Sequence, residues 1–198
     1  MANVDKAYGL RPMGNLSATG AQKQYGYLIA DNQSGAIYQG DLVTIVGGYI
    51  VRFDATLHTV AVGVFNGCNY TDPTSGKPTW SNYYPGSVNI TSGYITADVL
   101  DDPNQLFSIQ ADEDIVQADF GKNAAIAYTA GSNVTGVSAT ELDSSTIANT
   151  NTQGLVLKLV GLNTIPLNEL GSNFTQVIVK INAHLYGSSG VANVAPTP

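Results

Sequence analysis

Residues 42–53, LVTIVGGYIVRF, give the clearest indication of fold in this chain. Two runs rich in β-branched and aromatic residues flank Gly47 and Gly48, and such runs favour strands. Two consecutive glycines supply the positive φ angles that a tight hairpin turn requires. This stretch therefore predicts a β-hairpin and, with it, an antiparallel sheet.

Further strand-like runs lie on both sides of the hairpin. They occupy residues 25–29, 59–65, 88–100, 106–110, 124–130, 155–160 and 176–185. In the last run Val177, Val179 and Ile181 alternate with Lys180 and Asn182, which is typical of a strand with one buried and one wetter face. Many short strands separated by turn residues predict a mainly all-β protein, a β-sandwich or β-barrel of jelly-roll-like type.

One short helix is expected at residues 112–120. Its acidic residues stand in the first turn, where they would complement the helix dipole. Gly121 follows, at the position of a helix C-cap.

The chain is expected to form one domain with extended terminal arms. Residues 1–24 are rich in Gly, Asn and Ser and predict an N-terminal extended arm or a first edge element. Residues 25–186 predict the β-rich core. Residues 187–198, GSSGVANVAPTP, predict a flexible C-terminal tail.

A long loop is expected within the core at residues 66–86. It contains Tyr70, Trp80, Tyr83 and Tyr84. Disordered segments are poor in aromatic residues, so we expect this loop to be ordered and packed. Its aromatic side chains have three possible roles: capping one end of the barrel, anchoring a protein interface, or stacking on carbohydrate.

Composition restricts the class of partner. The 198 residues carry a formal net charge of −7, and only 12% of them are charged. A scarcity of Lys and Arg argues against binding to nucleic acid or to an anionic membrane surface. No apolar run approaches 18 residues and the N-terminus lacks a signal-peptide core, so we expect a soluble protein made in a cytoplasm.

Few residues could carry catalysis or hold a metal. His58 and His184 are the only histidines and Cys68 is the only cysteine. None of them has the neighbours in sequence that a zinc site or a catalytic triad needs. We therefore predict no enzyme activity, no metal and no cofactor, with Cys68 as a structural thiol.

Two acidic clusters offer carboxylates of the kind found in calcium and glycosidase sites. They comprise Asp98, Asp101 and Asp102, and Asp112, Glu113 and Asp114. No EF-hand pattern is present, and turn and helix-start positions account for these residues.

Three stretches together resemble one family. They are the opening Ala2-Asn3 with Ala7-Tyr8-Gly9-Leu10-Arg11-Pro12, residues 63–85, and residues 136–146 with the sequence GVSATELDSST. In content and order they are similar to structural proteins of tailed bacteriophages. Tyr8 stands where Phe is commoner in that family, which keeps an aromatic residue at the position.

The resemblance implies a structural virion protein: a capsid decoration, or cement, protein on the outer surface of the phage head. Its implied partners are the major capsid protein and further copies of itself, as a homotrimer or a dimer. Terminal arms of such a protein can add strands to a neighbour. Because it binds only the assembled shell, it would stabilise that shell by mass action.

Under this hypothesis two groups of residues meet the partners. Tyr8, Leu10, Arg11 and Pro12 would form the docking segment of the arm, with Arg11 paired to an acidic capsid residue. The anchors on the capsid or on a sister subunit would be Tyr70, Trp80, Tyr83 and Tyr84.

Two other functions remain open from the sequence. The first is a head-fibre or receptor-binding β module that binds host glycans through Trp80 and the tyrosines. The second is a β-fold hydrolase that uses Asp98, Asp102 or Glu113, for which the sequence offers no positive signal.

Overall fold

The computed structural model describes residues 3–17, 24–150 and 154–187, and their regular structure is almost entirely β. The strands are β1 (Arg11–Asn15), β2 (Gln24–Ile29), β3 (Ile37–Tyr38), β4 (Leu42–Val46), β5 (Tyr49–Arg52), β6 (Gly63–Thr71), β7 (Pro78–Ser81), β8 (Tyr83–Tyr84), β9 (Ile95–Leu100), β10 (Gln105–Gln110), β11 (Asn123–Ala127), β12 (Glu141–Ala148), β13 (Leu157–Leu162) and β14 (Gln176–Ile181). The expected all-β, sandwich-like fold is confirmed.

The strands form three antiparallel sheets. The first sheet has the order β1-β10-β14-β13-β11-β12, and the second has the order β2-β9-β6-β4-β5. The long strand β6 pairs with β4 near its start and with β7 near its end. Strands β3 and β8 form a small third sheet.

Where β4, β6 and β9 meet, the second sheet is buried on both faces, and this divides the core into two apolar clusters. Leu42, Val64 and Leu100 point into a cluster shared with the first sheet. The neighbouring residues Val43, Phe65 and Val99 point into the other cluster, which the small sheet covers with Ile37 and Tyr84. Burial on both faces explains why Leu42-Val43, Val64-Phe65 and Val99-Leu100 are consecutive apolar residues.

The predicted hairpin is confirmed as β4 and β5. Residues of the two strands pair from Val43 with Arg52 to Val46 with Tyr49. The turn glycines Gly47 and Gly48 have φ angles of 58° and 88°, the conformation for which glycine was expected.

The predicted helix at residues 112–120 is wrong. Only Gln117–Asp119 form a short 3₁₀ turn. The N–H of Asp112 donates to the carbonyl of Leu142, and the Asp112 carboxylate accepts hydrogen bonds from the backbone and hydroxyl of Ser144. Tertiary hydrogen bonds thus hold the expected helix start in extended form, and nine residues are too few for a helix to persist without tertiary support.

The expected long loop at residues 66–86 is largely a β-hairpin, because β6 continues to Thr71 and β7 returns beside it. The turn between them is built on Asp72, whose carboxylate accepts hydrogen bonds from the N–H of Thr74 and the hydroxyl of Ser75. Gly76 completes the turn at a φ of 66°. An Asx turn with a left-handed glycine reverses a strand in few residues, so most of this segment is regular structure.

The N-terminal segment packs on the domain instead of extending away from it as an arm. Strand β1 pairs with β10 at the edge of the first sheet, and Met13 is an extra bulged residue in that pairing. The alternative expectation, a first edge element, therefore describes residues 3–17. Residues 1–2 and 18–23 of the predicted arm and residues 188–198 of the predicted tail lie outside the described residues. Among the residues that the structure describes, no helix has the length and apolarity needed to cross a membrane.

A buried carboxylate joins the two sheets at their junction. Asp41 precedes β4 and is 1% exposed. One of its oxygens accepts hydrogen bonds from the hydroxyls of Ser138 and Thr140, and the other accepts one from the N–H of Tyr38. Burial raises the pKa of Asp41, whereas these hydrogen bonds and nearby Arg52 act in the opposite direction.

Replacing Asp41 with Asn tests this junction. An amide has one acceptor oxygen where a carboxylate has two. The NH₂ group of Asn would therefore replace one acceptor oxygen and face either the Tyr38 N–H or the two hydroxyls, which are donors themselves. We expect Asp41→Asn to lower the free energy of unfolding by about 1–3 kcal/mol, with loss of the buried charge offsetting part of the cost. Urea unfolding followed by circular dichroism measures this. Asp114→Asn, at an exposed position, is the control, and equal midpoints for both variants would contradict the prediction.

Candidate docking site

Two of the predicted docking residues, Tyr8 and Leu10, lie inside the domain. Leu10 is 1% exposed and belongs to the first apolar cluster. Tyr8 is 8% exposed, and its hydroxyl donates to Gln176 Oε1 at 2.8 Å and bonds with the hydroxyl of Ser108 at 2.7 Å. These two side chains fix the segment to its own domain and leave little surface for a partner.

The segment crosses the turn before β4 at very close range. The N–H of Leu10 donates to the carbonyl of Gly40 at 2.9 Å. A Cβ atom placed on Gly9 would lie 2.7 Å from that carbonyl oxygen and 2.7 Å from the Cβ of Ser138. Glycine is therefore required at position 9 by the crossing itself, and also by its φ angle of 70°.

Arg11 is the exposed member of the predicted docking segment. Its guanidinium lies 4.1 Å from the centre of the Tyr8 ring, a cation–π contact that holds the side chain in place. Among the described residues, no ion pair of Arg11 with a carboxylate is present. Pro12 beside it is half-buried.

Arg11 stands between two adjoining grooves of about 420 and 400 Å³, both of which are bounded by Tyr8, Arg11 and Val137. The first groove is completed by Leu10, Pro12, Gln39, Gly40, Val64, Phe65, Asn66 and Leu100, and the second by Lys6, Ala7, Ala130, Gly131, Ser132, Thr135, Ser138 and Ala139. Two cations and no Asp or Glu line the grooves. In a chain with a net charge of −7, a surface of this composition attracts an anionic group.

The four predicted aromatic anchors separate into buried and exposed residues. Tyr84 is fully buried, and its hydroxyl donates to the carbonyl of Gln33. Tyr83 is half-buried and stacks on Tyr38, with ring centres 5.8 Å apart. Tyr70 is half-buried against the second apolar cluster. Trp80 alone among the four has a mostly exposed side chain, at 57%.

The histidines serve packing and backbone contacts. His58 Nδ1 accepts a hydrogen bond from the N–H of Asp54, and His184 Nδ1 accepts one from the N–H of Tyr186. Burial lowers the pKa of both, to about 4 for His184, so this imidazole stays neutral at neutral pH. Among the residues the structure describes, no three His, Cys, Asp or Glu side chains are grouped so that they could hold a metal ion.

The acidic residues considered for hydrolysis lie on different elements. Asp98 is on β9, Asp102 accepts hydrogen bonds from Asn15 and Asn104 in the turn after β9, and Glu113 is exposed beyond β10. Asp102 is thus engaged in holding a turn.

Of the residues lining the grooves, sequence reasoning predicts only Tyr8, Leu10, Arg11 and Pro12; among those it misses are Lys6, Gln39, Asn66 and Val137. They come from four distant parts of the chain and share no local pattern. The sequence signal for two of them is that Asn66 and Val137 lie in stretches with the family resemblance, residues 63–85 and 136–146.

Comparisons of the chain with protein-family models, with curated proteins and with solved structures find no match.

The close crossing at Gly9 generates a prediction. Gly9→Ala adds a methyl group against the Gly40 carbonyl and forces an L residue into the left-handed region. We expect the free energy of unfolding to fall by at least about 2 kcal/mol. Gly14→Ala is the matched control, because nothing lies within 4 Å of a Cβ at that position. Denaturant midpoints measure both, and a Gly9→Ala midpoint as high as that of Gly14→Ala would show that the crossing can relax.

The thiol of Cys68 should be inert in the folded protein. It is fully buried, its S–H donates to the carbonyl of Tyr83, and burial raises its pKa to about 12. We expect no reaction with a thiol reagent such as DTNB at pH 8, and a full equivalent after unfolding in guanidinium. Rapid labelling of the native protein would contradict the burial of this side chain.

Proposed function

We propose that this chain is a structural virion protein, a capsid decoration protein that binds the outer surface of a phage head and stabilises the assembled shell. The resemblance of its opening, residues 63–85 and residues 136–146 to tailed-phage structural proteins supports this proposal. So does a β-rich domain with few charged residues, since a charge-poor surface has little hydration to lose when it meets another protein.

The observation that carries the proposal is Arg11, a cation without an ion pair among the described residues, between two grooves that no acidic residue lines. A guanidinium can bind a carboxylate through two parallel hydrogen bonds. A carboxylate of the major capsid protein would enter here and pair with Arg11. The walls of the grooves would then shield the pair from water and strengthen it.

Tyr8 and Leu10 support this role from inside the domain. Because they anchor the segment in the core, Arg11 is presented by a rigid surface and not by an arm that must fold as it docks. A rigid site loses less conformational entropy on binding. Arg11 and Pro12 keep their proposed contact role, whereas Tyr8 and Leu10 become the residues that position them.

Shell stabilisation follows from selective binding. A protein that binds the assembled lattice and not free capsid subunits stabilises the lattice. The stabilisation increases with the free concentration of that protein. Self-association into a trimer or dimer would multiply the number of Arg11 contacts for each particle.

A receptor-binding module on the head is the second candidate, and the exposure of Trp80 on β7 favours it. The two functions are compatible, since the residues lining the Arg11 grooves do not include Trp80.

Co-sedimentation with phage shells that lack this protein tests the proposal. We expect saturable binding that raises the temperature at which the shells disrupt. Arg11→Glu should weaken binding by at least about tenfold, because it places a carboxylate opposite a carboxylate. A point substitution is preferable to deleting residues 1–13, which would also remove Leu10 from the core and part of β1.

Lys77→Glu is the matched control, since it makes the same charge change at an exposed turn. It should bind as the unaltered protein does, and thermal melting of each variant verifies its fold. Absence of binding by the unaltered protein would overturn the decoration role. Unchanged binding by Arg11→Glu would show that docking occurs elsewhere on the surface.

A further inference from the structure

The outward face of the second sheet carries a second group of side chains with a common chemistry. Trp80 on β7 pairs with Asn69 on β6, and Asn69 pairs in turn with Thr96 on β9. Gly67 on β6 pairs with Asp98 on β9, which pairs with Gly26 on β2. Residues paired across antiparallel strands project to the same side of the sheet. These six residues are called the Trp80 face below.

The indole of Trp80 lies against the sheet at Gly67. A Cβ atom built on Gly67 would be 2.9 Å from Cζ2 of the indole and 3.1 Å from Cε2. The benzo ring therefore covers the position that a side chain at residue 67 would occupy. With the backbone supporting one side, the indole remains 57% exposed to solvent.

Hydrogen-bonding groups stand beside this ring. Asn69 is exposed, and its Nδ2 donates to Asp98 Oδ2 at 3.2 Å. Among the described residues, the side-chain amide oxygen of Asn69 (Oδ1) and the other carboxylate oxygen of Asp98 (Oδ1) are in no side-chain hydrogen bond. Gly26 carries no side chain, so nothing from that residue covers Asp98 on the side of β2.

The composition of the face favours one class of ligand. An interface core for another protein would surround Trp80 with apolar side chains, whereas its paired neighbour is Asn69 and the next residue across the sheet is Thr96. The apolar side chain of Leu28, which pairs with Thr96 and is 39% exposed, is three strands away from Trp80. A nucleic acid would require cations, and the one charged side chain of the Trp80 face is Asp98. A neutral sugar ring fits both the exposed indole and the hydrogen-bond acceptors beside it. Its C–H bonds would contact the electron-rich face of the indole, and its hydroxyls would donate to the amide oxygen of Asn69 and the carboxylate of Asp98.

We propose that the Trp80 face is a saccharide-binding site for neutral hexopyranose chains, which rests on the receptor-binding candidate above and specifies its ligand. Trp80 is the stacking platform, Asn69 and Asp98 accept hydrogen bonds from ring hydroxyls, and Gly67 allows the indole to lie flat. The site is shallow and each copy binds weakly. Many copies on one particle would convert weak contacts into firm attachment to a glycan-coated surface.

The chain provides its own probe, because Trp80 is its only tryptophan. Tryptophan emission is titrated with neutral oligosaccharides: maltohexaose, cellohexaose, mannohexaose and chitohexaose. Stacking removes water from the indole, so we expect a saturable blue shift with at least one of them. If none shifts the emission at about 10 mM, where even a millimolar site would be mostly filled, the proposal is overturned.

Variants locate the site. Asn69→Ala and Asp98→Asn keep the fluorophore, and each should weaken binding by at least about threefold through loss of hydrogen bonds. Trp80→Ala, followed by calorimetry, should weaken it by about tenfold or more. Tyr49→Ala, at another exposed aromatic residue, is the control and should bind normally. Normal binding by Trp80→Ala would overturn the assignment, and because the assay uses isolated protein its result is independent of docking to a shell.

Discussion

The buried carboxylate of Asp41 is the interaction on which the arrangement of the two sheets depends. It lies at the start of β4, in the second sheet, and binds the hydroxyls of Ser138 and Thr140, which lead into β12 of the first sheet. Placing a charge in the interior is costly unless the charge is hydrogen-bonded. Here the N–H of Tyr38 and the hydroxyls of Ser138 and Thr140 donate to the carboxylate and offset this cost. Because these donors are held by different sheets, the position of one sheet specifies the position of the other.

The N-terminal segment is fixed at the same junction, and this determines what its surface can do. The backbone of Gly9 packs directly against the Gly40 carbonyl and the side chain of Ser138, with no room for a side chain between them. Leu10 then enters the core and Arg11 remains outside. The groove that Arg11 borders is thus a product of the sheet junction, and its shape is set by the same hydrogen bonds that hold the domain together.

Local signals predicted the fold well and the site poorly. The Gly47-Gly48 turn and the β-rich runs are local features, and they led to the confirmed hairpin and fold class. The helix at residues 112–120 failed because Leu142, which is remote in sequence, supplies the partner that holds Asp112. The grooves combine residues from five separate segments of the chain. The Trp80 face depends on strand register, which residue types alone do not specify. The sequence nominated Arg11 and Trp80, and both are exposed, but it could not show that Tyr8, Leu10 and Tyr84 face inward.

Strand β1 has a further significance for any setting in which many copies stand close together. An edge strand offers unpaired backbone groups to a neighbour. At this edge Pro12 has no N–H to donate, and the bulge at Met13 interrupts the regular spacing of the ladder. Pairing of this edge with a strand of a neighbouring copy is therefore disfavoured even when copies are crowded. Copies of the chain that stand side by side on a surface would not join into a continuous β-sheet through this edge.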